Sequence, residues 1–353
     1  MAFPRPRFTA PAPRPPEVRE RAREIHRRAI VADFHVDSIL WQRLVRYDLR
    51  RRHRPIGWGT PFGNHADIPR MLAGGYTCPG FGLHYWPWGI AKAWAEVRRQ
   101  IDYFERLTQL DERITIARTA EDVRRAKAEG RLAGFPGCEG AHILDGRLER
   151  IAELRRRNVR YLTLTHFSKN AAATSAMGIG ADAVSGLTPW GRELVAECNR
   201  VGLIVDVAHV NAPGVLDACA ASRRPVIASH TGVKGVRPHR RNIDDAGLRA
   251  IAAGGGVVGI MFAPVFLAAS NDADSTCILD HIDHAVRTIG IDHVALGSDF
   301  DGMIPIPTDL RDCTDLVRVT EGLVLRGYSE LDIRKILGEN WLRVLARFDE
   351  GAV

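Results

Sequence analysis

Cysteine is scarce and scattered in this 353-residue chain: Cys78, Cys138, Cys198, Cys219, Cys277 and Cys313 form no C-x-x-C pair. That excludes a disulfide scaffold and a thiolate zinc finger, and it fits a reducing compartment, so a cytoplasmic protein is expected. No apolar run approaches the ~20 residues of a membrane-spanning helix. The opening Met1-Ala2-Phe3-Pro4-Arg5-Pro6-Arg7 lacks the apolar core of a signal peptide, so no membrane anchor is expected. A G-x-G-x-x-G turn after the first apolar run is also missing, which speaks against a dinucleotide-binding open sheet. No internal repeat stands out.

What is present is an ordinary globular composition, 45% hydrophobic and 26% charged, long enough to bury a sizeable core. The formal charge of +7 is unevenly placed. Residues 1–54 carry fourteen arginines against six acidic residues, so the positive excess lies in the leading segment and in Arg50-Arg51-Arg52-His53-Arg54. A solvated tail explains it without a nucleic-acid partner. Residues 1–16, rich in Pro and Arg and without periodicity, read as an extended arm. Residues 17–353 read as one domain.

Apolar runs at 30–35, 76–84, 131–138, 159–166, 203–209, 225–230, 257–262 and 293–299 read as eight strands, most of them separated by helical patterns. Thr119-Ala120-Glu121-Asp122 marks a helix start by its capping box, and Thr188-Pro189 marks another. Near-continuous apolar strands alternating with helices mean a parallel sheet, and eight of them predict an α/β fold of the (β/α)8, TIM-like barrel type.

In such a barrel the chemistry sits at the carboxyl ends of the strands. The first run, Ile30-Val31-Ala32-Asp33-Phe34, ends in His35 with Asp37 two residues on, and residues i and i+2 of a strand share a face. The third ends in Glu139, the fourth in His166, the fifth in His209, the sixth in His230 and the eighth in Asp299. Imidazoles and carboxylates are the donors a zinc-like ion prefers, and two histidines with a carboxylate hold one zinc while leaving a place for water. One shared carboxylate makes two metals feasible, and two adjacent ions are equipment for hydrolysing an amide, ester or phosphoester.

Glu139-Gly140-Ala141-His142 through Arg160-Tyr161-Leu162-Thr163-Leu164-Thr165-His166 resemble the signature of the membrane (renal) dipeptidase family. So do Asp206-Val207-Ala208-His209, Ser229-His230, Arg240-Arg241-Asn242, Gly297-Ser298-Asp299-Phe300-Asp301-Gly302 and Gly338-Glu339-Asn340-Trp341. The similarity runs from about residue 30 to 346, in the family's order and spacing. It implies a metal-dependent hydrolase with two Zn2+ per chain. His35 and Asp37 would hold one zinc, His209 and His230 the other, and Glu139 with a water or hydroxide would bridge them. His166 would stabilise the oxyanion, Arg241 would clamp the free carboxylate of a dipeptide, and Asp299 would hold the amino end or pass a proton to the leaving amine. The resemblance also allows a carboxyl-terminal D-residue. Cys138 before Glu139, Val36 and Ser38 around the first ligand pair, and Phe167-Ser168-Lys169-Asn170-Ala171 without a tryptophan depart from the family pattern and leave substrate preference open.

Other titratable residues have plainer readings. His281 and His284, with Asp280 and Asp283, read as helix surface or packing. His142 reads as a supporting or capping group, Asp33 as a structural partner within the first strand, and Asp301 as a competitor for the role of Asp299. His84 is a candidate for the pocket wall, as are Trp86 and Trp88, and the apolar loops near Trp86 leave a homodimer open. Two alternatives remain: a two-metal hydrolase of acyl amino acids, lactones or phosphoesters, and a non-catalytic binding protein on a barrel scaffold.

Overall fold

A computed structural model describes residues 13–54 and 64–349. Most of the expected arm (residues 1–12) and much of the glycine- and proline-rich loop (residues 55–63) lie outside the described residues. At the arm's inner end Arg14 donates to the Arg318 carbonyl at 2.5 Å and lies 3.4 Å from Glu321.

Nine strands are described: β1 (Ala32–Val36), β2 (Cys78–Leu83), β3 (Ile114–Ile116), β4 (Leu132–Cys138), β5 (Tyr161–Thr163), β6 (Ile204–Asp206), β7 (Val226–Thr231), β8 (Val257–Ile260) and β9 (Val294–Leu296). Eight pair in parallel in the order β1-β2-β4-β5-β6-β7-β8-β9. The circle closes where Asp299 N–H donates to the His35 carbonyl (3.0 Å) and Asp37 N–H to the Phe300 carbonyl (2.8 Å). The expected eight-stranded barrel is therefore present, and β3 is an addition: a three-residue strand pairing only β4, off the barrel path. Three residues are too short to show a period, so β3 escaped sequence reading.

Several barrel strands are shorter than expected. The runs 159–166, 203–209 and 293–299 keep only three paired residues each. Three residues past the ends of the last two, His209 (φ 65°) and Asp299 (φ 62°) adopt the left-handed conformation, which no strand continues. His166, His209 and Asp299 therefore stand on the loops just beyond the strand ends.

Helices cover the outside. The capping box forms as expected: the Thr119 side chain accepts from the Asp122 N–H, and the Asp122 carboxylate accepts from that of Thr119. Thr188 caps Pro189–Val201. Apolar periodicity at the end of the chain predicts two closing helices, about 309–326 and 329–348. The second is present as Glu330–Arg334, a wider turn over Lys335–Glu339 and Asn340–Asp349. Over 309–326, by contrast, only Val317–Leu325 is α-helical, preceded by a tight turn at Cys313–Asp315. A helix the apolar pattern did not reveal, Ser38–Val45, starts directly after Asp37. Trp341 plugs the amino-terminal pole, its ring 4.8 Å from Phe34 and 4.9 Å from Phe135. No helix among the described residues is long and apolar enough to cross a membrane, and all six cysteines are free.

Asp33 staples the closure, the structural part read for it from sequence. Its Oδ1 accepts the N–H groups of Ser298 (2.7 Å) and His35 (3.3 Å), and Tyr76 donates its hydroxyl to Oδ2 (3.2 Å). Asp33→Ala leaves the buried Ser298 N–H without a partner and is expected to cost about 2 kcal/mol, read as a lower urea midpoint at unchanged m-value.

Candidate metal centre

The carboxyl-terminal pole gathers the sequence-predicted residues into one buried cluster. His35, at 0% exposure, comes from β1, and Asp37 follows it. Asp37 occupies the N-cap position of Ser38–Val45 but makes no capping hydrogen bond, which leaves its carboxylate for the cluster. Glu139 follows β4, His230 lies in β7, and His166 and His209 stand past β5 and β6.

Glu139 is the hub. Its Oε1 lies 2.9 Å from His209 Nε2, 3.4 Å from His230 Nε2 and 3.7 Å from His35 Nε2, and its Oε2 lies 3.5 Å from His166 Nε2. His35 Nε2 is 3.2 Å from Asp37 Oδ1, and the His209 and His230 Nε2 atoms are 2.9 Å apart. Two triads result, His35–Asp37–Glu139 and Glu139–His209–His230, each with one donor atom per residue within 4.8 Å of the others, and Glu139 belongs to both.

A second layer of hydrogen bonds aims these donors. Tyr161 donates its hydroxyl to the Phe34 carbonyl (3.1 Å), so its oxygen accepts from His35 Nδ1 at 2.6 Å. Ser229 Oγ donates to Asp206 Oδ2 (2.7 Å) and accepts from His230 Nδ1 (2.9 Å). Thr163 Oγ1 donates to that carboxylate as well, and the N–H groups of Ser229 and Ala208 donate to its other oxygen. With protons on Nδ1, both imidazoles turn an Nε2 lone pair into the cluster, the arrangement a metal-binding histidine needs. Close approach is required too: a Cβ on Gly82 would come within 2.1 Å of Asp37 Oδ1, and one on Gly137 within 2.0 Å of the Tyr161 ring.

The electrostatics ask for positive charge. Burial drives His166, His209 and His230 well below the ordinary imidazole range, so they are neutral. Burial also disfavours a charged His35, but the Asp37 and Glu139 carboxylates outweigh it and hold His35 at about 10. Burial pushes Glu139 up to about 8 and Asp299 well above the carboxylate range. A divalent cation satisfies such a set: carboxylates crowded out of water, neutral imidazoles facing inward, and a buried His35 Nε2 and Asp37 Oδ1 with no hydrogen-bond partner. The donor set therefore fits bound metal.

Two further predicted residues border the cluster. Arg241, 2% exposed, donates from Nη2 to the His230 carbonyl (3.0 Å) while its Nε has no partner. Asp299 offers an oxygen within 4.8 Å of donors on His35 and His230. His84, weighed only as pocket wall, reaches further in: its Nε2 is 3.8 Å from Asp37 Oδ2, and it groups with Glu139 and His166. Tyr161, Ser229 and Asp206 lie within the dipeptidase-like motifs, yet their spacing assigns them no role. Serine or tyrosine in the layer behind a ligand has no spacing of its own to betray it.

The remaining candidates are accounted for by other contacts. Asp301 accepts from Ser38 Oγ and the His65 N–H (both 2.5 Å), which ties the loop after β9 to the rim rather than rivalling Asp299. His281 accepts from the Val233 N–H (2.8 Å) and donates to the Leu267 carbonyl (3.0 Å), and His284 pairs with Asp245 (2.7 Å); both are packing residues. His142 bonds Ser168 Oγ at 2.8 Å, behind the site. Trp86 is exposed, and Trp88 lies 5.7 Å under the Arg43 guanidinium.

Comparison with known proteins agrees with this geometry. The sequence profile of the membrane dipeptidase family (peptidase family M19) matches residues 19–352. Dipeptidase tcpJ of Claviceps purpurea (strain 20.1) is 36% identical over 257 residues, which is 72% of this chain and 60% of that relative, so the chain spans about 60% of its length. Among solved structures, a metallopeptidase from Rhodobacter sphaeroides, liganded with a phosphinate mimic of the dipeptide L-Ala-D-Ala, superposes with TM-score 0.79 at 29% identity, covering 91% of this chain and 99% of that one. The dipeptidase AC, an M19 metallopeptidase, gives 0.81 at 29% identity over 90% and 98%. The probable dipeptidase PvdM from Pseudomonas aeruginosa, 22% identical, shares the fold at TM-score 0.85 over 96% and 100%. The chain belongs to the membrane dipeptidase family, peptidase family M19, and shares the barrel fold of its solved members.

Proposed function

We propose that this protein is a dinuclear zinc dipeptidase, cleaving dipeptides with free amino and carboxyl ends, including those with a carboxyl-terminal D-residue. The observation that carries the reading is Glu139, one carboxylate within 3.7 Å of histidines from both triads. His35 and Asp37 would hold one ion, His209 and His230 the other, and Glu139 both. When bound, the ion pair would supply Lewis acidity to polarise the peptide carbonyl and acidify the attacking water. Five of the six free thiols are buried, which fits a reducing, cytoplasmic setting.

The chain's own residues do the rest. His166, kept neutral by burial, presents an N–H to the oxygen of the carbonyl as negative charge develops there. Arg241 pairs its planar guanidinium with the substrate carboxylate, a bond strengthened by burial. Asp299, whose burial favours the protonated form, is suited to pass a proton to the leaving amine or, as the carboxylate, to hold the amino end. The Rhodobacter sphaeroides relative binds a mimic of L-Ala-D-Ala, which supports a D-residue at the carboxyl side.

Purified protein is expected to hold about two zinc equivalents per chain. Glu139→Gln should lose at least one of them, with activity on L,L and L,D dipeptides falling more than about 10²-fold; equal turnover by this variant would refute the assignment. Tyr161→Phe frees the His35 tautomer and should weaken zinc by roughly tenfold or more in chelator competition. Arg241→Ala should lower kcat/KM by about 10²-fold for dipeptides and far less for amides without a carboxylate. A uniform loss on both would favour a hydrolase of another substrate class.

A further inference from the structure

A cavity of about 420 Å³ opens on the β6–β7 side of the active-site rim, with Ala176, Asp182, Asn211, Lys234 and Arg240 among its lining residues. Its walls are built from the chain that carries the metal-centre histidines. Asn211 is two residues past His209, so their Cα atoms lie within about 7 Å. The Ala176 N–H donates to the His209 carbonyl at 2.7 Å. Arg240 directly precedes Arg241, and Lys234 follows His230 by four residues. The far wall is pinned in place, because Asn211 Nδ2 donates to the carbonyls of Asp182 (2.9 Å) and Ser185 (2.7 Å).

The lining charge favours an anion. Lys234 is half-buried and Arg240 exposed, and both line the cavity. Asp182, the acid on this wall, has Oδ1 engaged by the N–H groups of Val184 (2.8 Å) and Ser185 (2.6 Å), and Lys169 lies near enough to stabilise its charge. We propose that this cavity is a subsite for an acidic side chain on the carboxyl-terminal residue of the dipeptide. The inference rests on the dipeptidase reading, in which Arg241 holds that residue's carboxylate. Arg240, the chain neighbour of Arg241, and Lys234, which lines the same cavity, then serve the carboxyl-terminal residue and not the amino-terminal one.

The test compares kcat/KM of the zinc-loaded enzyme for Ala-Glu against Ala-Gln, and for Glu-Ala against Gln-Ala, with both configurations at the carboxyl end. Ala-Glu is expected to be preferred by roughly fivefold to tenfold, mainly through KM, with no such preference for Glu-Ala. The preference should fade at high salt. It should fall to near parity in the Lys234→Met, Arg240→Gln double variant and turn toward Ala-Lys in the Lys234→Glu, Arg240→Glu variant, a reversal that a merely structural role would not produce. Parity in the unmodified enzyme, or a preference surviving both substitutions, overturns the subsite and leaves the dipeptidase reading standing. Failure to cleave any dipeptide of the panel overturns that reading and the subsite with it.

Discussion

Placing Asp37, Glu139 and Asp299 together at one barrel pole takes three carboxylates out of water, at a cost of several kcal/mol per ion unless positive charge comes to the same place. Apart from Arg241 and His35, whose charged form the Asp37 and Glu139 carboxylates favour until a cation takes its place, the surrounding groups are imidazoles that burial keeps neutral. Such a cluster is a poor way to stabilise a fold and a good way to hold cations. Much of the local architecture follows from that need. Hydrogen bonds from behind set the tautomers, glycines permit close approach, and Arg241 is anchored through the backbone of a candidate ligand.

The barrel meets the need by dividing labour along each strand. Paired residues carry the closed hydrogen-bonded wall, and the next one to three residues leave the wall to carry donors. Left-handed backbone at His209 and Asp299 makes that departure sharp. Such conformations cost of order 1–3 kcal/mol in a non-glycine residue. Here they coincide with residues whose side chains must turn toward the axis. Asp33 ties β1 to Ser298, and Asp301 ties the loop after β9 to Ser38, so the closure of the barrel and the position of His35 and Asp37 are one mechanical problem.

Much of this was legible in the residues themselves. Apolar runs located all eight barrel strands, and the residues at or just past their ends located the cluster, because a parallel barrel delivers those ends to one pole. Packing explains what escaped. Ser38–Val45 is a helix because Trp41 and Ile39 find a buried face, with Trp41 Nε1 donating to the Asp301 carbonyl, a partner far along the chain. Strand lengths were overread because an apolar loop under a rim resembles a strand. His84 stayed ambiguous because its place depends on the depth of β2 against β4, a register no local pattern encodes.

From sequence alone came the alternation that makes a barrel and the donor types at its strand ends, since periodicity and side-chain chemistry are local properties. Tertiary structure alone decided that Glu139 reaches both His35 and the His209–His230 pair, that Tyr161 and Ser229 orient His35 and His230, and that Lys234 and Arg240 line one cavity. Those are distances between residues far apart in the chain. They are set by strand register and by which loops pack together, quantities that exist only once the wall has closed.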